Sequence, residues 1–156
     1  MSTRTSTRKP AVIRQNIMTL LLKSPRVIAT PRTRLIVTGL IVVGALLTAI
    51  SGIIHFFLYA NYGYSVIPTI GPLFIAQGVV ASGLALLVLG TRWLAAIVAA
   101  AGFLIATAAG LLITIYVGLF NFQEFWSGPW VVISFILELA GAALLLIAAW
   151  PLLRPS

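Results

Sequence analysis

Four long apolar runs, at residues 35–58, 67–89, 93–119 and 130–150, decide what this chain can fold into. At about 20 residues per helical crossing of a roughly 30 Å hydrocarbon layer, each run is long enough to span a bilayer. The turns between them are too short to hold a soluble domain. A chain of 156 residues that is 61% hydrophobic and 8% charged also lacks the polar surface to cover a core in water. The pattern predicts an all-α fold, a polytopic membrane four-helix bundle occupying residues 35–150.

Charge then sets the orientation. A formal net charge of +8 would point a soluble chain towards nucleic acid. Here eight of the ten Lys and Arg fall within residues 1–34, directly before the first apolar run. Of the other two, Arg92 sits in the turn after the second run and Arg154 in the tail at 151–156. The turns at 59–66 and 121–128 carry no Lys or Arg, so the positive-inside rule puts both termini in the cytoplasm and nucleic acid is not an expected partner. Residues 1–10, MSTRTSTRKP, read as a disordered basic tail. Within 11–34, a stretch with Gln15, Asn16, Thr19 and Lys23 on one side and Ile13, Ile17, Leu20 and Leu21 on the other predicts a short helix lying in the interface. The turn YANYGYSV carries three tyrosines and NFQEFWSG is again aromatic, and such rings favour the headgroup level.

Small residues mark where helices approach. Gly44, Thr48 and Gly52 recur every fourth residue in the first run, and Gly102, Ala106, Gly110, Thr114 and Gly118 form a longer ladder in the third. Such stripes allow close backbone approach in lipid, where no hydrophobic drive brings helices together. The third-run ladder is therefore expected to press against a neighbour.

Ionisable side chains in hydrocarbon are costly, and this chain has two, His55 and Glu138. Counted in at the helical rise, His55 lies about 5 to 8 Å, Glu138 about 12 Å and Gln77 about 15 Å below the outer surface. Thr107 and Thr114 bracket that level, so each run offers a polar group to one zone and the bundle can enclose a polar pocket. Each of these groups can instead fasten helices by hydrogen bonds averaging about 0.6 kcal/mol. Ser134, Glu138 and Ala142 share a helix face that can meet the ladder.

The chemistry available is narrow. One imidazole and one carboxyl make a poor zinc site, which wants three or four protein ligands. There is no cysteine, hence no thiolate ligand or cysteine nucleophile. No phosphate-binding glycine loop, dinucleotide motif, serine elbow or zinc-peptidase motif occurs. No enzymatic activity and no cofactor is expected. Proton exchange between His55 and Glu138 is the easiest chemistry open to it.

The segment His55-Phe56-Phe57-Leu58-Tyr59, with Gly63-Tyr64, Ile67-Pro68-Thr69-Ile70-Gly71 and Leu73-Phe74, resembles a group of small four-span bacterial membrane proteins. The resemblance covers mainly the first two runs and their turn. It implies a bacterial plasma membrane and the same hairpin, and brings no activity with it. The expectation is an accessory or assembly subunit of a larger membrane complex, bound to lipid and to a membrane-protein partner or to further copies of itself. The alternative is a small proton-coupled transporter working through His55 and Glu138. A third possibility is a quinone- or haem-linked redox subunit.

Overall fold

The computed structural model describes residues 17–153. The expected basic tail at 1–10, the first part of the interfacial helix and the last residues of the 151–156 tail lie outside the described residues. The described part of 11–34 begins with a helical turn over residues 17–21, in which Ile17 and Met18 are exposed.

Four helices follow: α1 (Pro31–Asn61), α2 (Ile70–Thr91), α3 (Leu94–Tyr116) and α4 (Pro129–Leu153). All four are long and apolar enough to cross a membrane. α1 and α4 open on prolines, whose missing amide hydrogen costs nothing in the first turn. α4 does not stop at Pro151, as the sequence suggested, but carries it inside its last turn and runs on to Leu153. At that position a proline removes only one late hydrogen bond. α3 ends sooner than the apolar run, because Gly118 takes a left-handed φ of +84° just past the helix.

Each turn is a tight local structure. Between α1 and α2, the Ile70 amide donates to the Pro68 carbonyl at 2.8 Å across Thr69, which sits at φ 68° and ψ −46°. That is a γ-turn of the rarer, strained hand. Between α3 and α4, Leu119 and Phe122 exchange backbone hydrogen bonds of 2.7 and 2.9 Å around Phe120 and Asn121, both at positive φ. The two turns differ in construction, although both are aromatic.

α1 packs along α2 and α4, α4 packs along α3, and α2 and α3 touch least of the neighbouring pairs. The core lies towards the arginine end of the bundle, where Ile41, Ile97, Leu104, Leu145 and Leu152 are fully enclosed among alanines of α3 and α4. Close approach is made by glycines. A Cβ on Gly44 would stand 2.7 Å from Leu145 of α4, and one on Gly52 would stand 3.0 Å from the Gly78 carbonyl of α2. The stripe in the first apolar run thus serves two neighbours.

The third-run ladder behaves otherwise. A Cβ on Gly102 or Gly110 would meet nothing within 4 Å, and Gly118 lies outside the helix. Within this chain, then, the ladder is not pressed against a helix, contrary to expectation. Leu73, Phe74, Gln77 and Val80 of α2 and Ala106, Gly110 and Thr114 of α3 line one cavity instead of packing together. α2 and α3 therefore stand apart at the aromatic end.

Candidate functional site

The cavity has a volume of about 410 Å³ and lies in the half of the bundle away from the packed core. That volume falls within the range of small-molecule pockets. His55, Gln77, Thr107, Thr114 and Glu138 all line it, so the polar groups singled out in four different apolar runs meet in one space. By helical rise His55, Gln77, Thr107 and Glu138 stand about 9 to 14 Å below the aromatic ends of their helices, and Thr114 only about 3 Å.

At the back of the cavity α1 and α4 are joined. The Ser51 hydroxyl donates to Glu138 Oε1 at 3.1 Å, and Thr107 of α3 lies within hydrogen-bonding reach of the same carboxyl. Glu138 is 1% exposed, so almost all its remaining polar capacity faces protein or cavity. One turn further along α1, His55 Nδ1 is 2.8 Å from the Ser51 carbonyl. A carbonyl only accepts, so Nδ1 carries the proton and Nε2 is left as the acceptor of the neutral ring. The ring packs against Phe74 at a centroid distance of 5.1 Å. Ser51 therefore touches both candidate residues, yet through its carbonyl on one side and its hydroxyl on the other. Its atoms do not form a continuous proton path from ring to carboxyl.

Ser134 stands one turn before Glu138 on α4. Its Oγ is buried without a hydrogen-bond partner, and the residue lines the cavity. A serine in a helix usually donates to the carbonyl four residues back, as Ser82 does to Gly78 at 2.8 Å. Ser134 does not, and such an orphan costs about 1–3 kcal/mol.

A roof of aromatic and polar side chains covers the aromatic end. The Tyr64 hydroxyl donates to Glu124 Oε2, tying the two turns together across the top. Tyr64 stacks on Phe74 at 4.4 Å and meets Phe122 edge-on at 6.0 Å. Burial first, then the Glu124 carboxylate, push the Tyr64 phenol above its ordinary pKa. Beside the roof, Trp130 Nε1 donates to the Tyr62 hydroxyl at 2.8 Å and ties α4 to the end of α1.

The mouth is lateral. Leu73, Ala76, Val80 and Ala106 line the cavity and are also exposed on the flank of the bundle, so the opening lies between α2 and α3. Apart from the polar cluster its walls are aliphatic and aromatic. Such a site can hold an apolar molecule by its body and a polar head by hydrogen bonds. Among the described residues, no group of three or more His, Cys, Asp or Glu is placed to hold a metal ion.

Sequence reasoning did not find Ser51 as the partner of Glu138, nor the Tyr64–Glu124 latch. A signal for the latch existed: Glu124 is one of only two acids, in a turn without cations, and a tyrosine-rich turn is its counterpart. No family model, no curated protein and no solved structure matches the chain.

Proposed function

We propose that this protein is a multi-pass membrane protein of the bacterial plasma membrane, with both termini cytoplasmic, that binds a small lipophilic molecule bearing a polar head. The molecule passes from the bilayer between α2 and α3, and its head reaches His55, Ser134 and Glu138. The observation that carries this reading is the orphaned Ser134 hydroxyl in a cavity whose mouth faces the flank of the bundle. A ligand head that hydrogen-bonds to Ser134 recovers free energy that the empty site forgoes. Quinones belong to the chemical class described. In a proton-coupled carrier built on the same site, the ligand head itself bridges Nε2 of His55 and the Glu138 carboxyl, because Ser51 does not.

The test is extraction of the protein from native membranes in mild detergent, followed by mass spectrometry of what stays bound. The expected result is one lipophilic species enriched near one per chain. Gly110→Leu, which fills the cavity, should abolish it, and Ser134→Ala should weaken it. No enriched species in the unaltered protein, or equal retention by Gly110→Leu, would remove the reading.

A second reading, an accessory subunit seated against another membrane helix, is favoured by one observation. Gly102 is exposed on the flank with open space over it, where a backbone can approach. On this reading Gly102→Leu releases a partner that survives mild detergent, while leaving bound ligand in place.

A further inference from the structure

At the arginine end a second, polar pocket of about 600 Å³ lies between two neighbouring segments within residues 24–38 and the distant turn at residues 90–92. Arg26 comes from the short 3-10 turn Pro25–Val27, Arg34 from the first turn of α1, and Arg92 from the turn joining α2 to α3. Ser24, Thr38 and Thr91 add hydroxyls, and Pro25, Pro31 and Leu35 complete the wall. The segments are held in place by a hydrogen bond of 2.8 Å from the Leu94 amide to the Lys23 carbonyl.

Among the described residues, no carboxylate answers the three guanidinium groups. The chain contains two acids, and both are engaged elsewhere: Glu124 with Tyr64 at the aromatic end and Glu138 with Ser51 in the bundle interior. Like charges gathered around one concave space repel unless an anion sits between them. Arg92 is also held in the left-handed region, at φ 54° and ψ 27°, where glycine or asparagine is the ordinary choice. A long cationic side chain kept at an unfavourable backbone position is a place to look for a ligand.

We infer that this pocket binds the phosphate of an anionic phospholipid head group, with Arg26, Arg34 and Arg92 as its ligands. A guanidinium fork matches phosphate oxygens in geometry as well as in charge. A lipid is favoured over a free anion because Leu35, on the pocket wall, is 74% exposed and continues into the apolar flank of α1, where an acyl chain can lie. The inference shares the bilayer placement with the proposed function but none of its residues.

The experiment is native mass spectrometry of the protein released from nanodiscs of phosphatidylcholine alone, or of phosphatidylcholine with phosphatidylglycerol. The unaltered protein should retain phosphatidylglycerol in preference to phosphatidylcholine. Arg34→Gln with Arg92→Asn should reduce retention by roughly 30-fold, at about fivefold per arginine. Asparagine suits the left-handed site, so the turn is kept. Arg32→Gln removes one charge from a residue that does not line the pocket, and should reduce retention clearly less than the about fivefold loss caused by Arg34→Gln alone. Loss by Arg32→Gln equal to that of Arg34→Gln alone, or equal retention of the two lipids, would overturn the inference. Displacement of phosphatidylglycerol by millimolar inorganic phosphate would assign the pocket to a free anion and overturn the lipid assignment. Failure of phosphate to compete supports it.

Discussion

The hydroxyl of Ser51 donates to Oε1 of Glu138, 87 positions later, and this bond joins the first and last helices in the apolar interior. Both residues are almost wholly enclosed, so neither has solvent as an alternative partner. Their coupling is therefore measurable. In a double-mutant cycle of Ser51→Ala and Glu138→Leu, we expect a coupling energy of about 0.6 kcal/mol, the usual size for interhelical hydrogen bonds in membranes. Glu138→Leu should leave the fold intact, because an apolar side chain of similar volume removes the desolvation cost of a buried acid. Additive effects of the two substitutions on thermal unfolding would argue that the bond is not made.

Glycines divide into those that need to be glycine and those that do not. A Cβ on Gly71 would stand 2.8 Å from the Tyr64 carbonyl and 3.1 Å from that of Ser65, both backbone atoms that cannot swing away. Gly71→Ala should cost about 1–3 kcal/mol. Gly83 and Gly102 have open space, so alanine there should be neutral or stabilising by up to about 1 kcal/mol, from helix propensity alone. Unfolding by denaturant in detergent micelles gives the ranking directly.

Thr69 holds a β-branched side chain at φ 68° and makes no side-chain cap to α2. Thr69→Gly removes a strain of about 1–3 kcal/mol at the cost of some unfolded-chain entropy. The expected net effect is a small rise in melting temperature. A fall would show that the threonine side chain contributes something the turn geometry does not reveal.

The Tyr64 phenol has a raised pKa, so the sign of its contribution can be worked out. Its folded-state stabilisation is fully present below the unfolded value of about 10 and is lost progressively as pH rises from there towards the folded value. Melting temperature should therefore fall above about pH 10 more steeply in the unaltered protein than in Tyr64→Phe. Tyr64→Phe should be less stable at neutral pH, since the bond to Glu124 is gone. Identical alkaline slopes in the two proteins would contradict the buried position of the hydroxyl.

Much of this was legible from the chain. Apolar runs gave the four helices, and counting residues inward brought His55, Gln77, Thr107 and Glu138 into one zone. What counting does not supply is the spacing between helices. The ladder from Gly102 to Gly118 reads as a packing face because small residues permit approach, yet approach also needs a facing helix that closes on it. Leu73, Phe74, Gln77 and Val80 line a cavity with the ladder instead, and that pairing is a fact of tertiary register. Ser51 escaped notice for a similar reason: one serine among many small residues has no signal until its neighbour 87 positions later is known. The γ-turn at Thr69 was hidden because no sequence preference marks a strained threonine.

The central claim is that the cavity between α2 and α3 opens to the acyl chains. A spin label at Ala106→Cys tests it, and the protein has no native cysteine to interfere. In reconstituted membranes, relaxation of the label should respond to oxygen, which concentrates in lipid, and hardly at all to a water-soluble nickel chelate. Relaxation dominated by the nickel chelate would mean a water-filled pocket that opens through the aromatic turns, and would contradict the account.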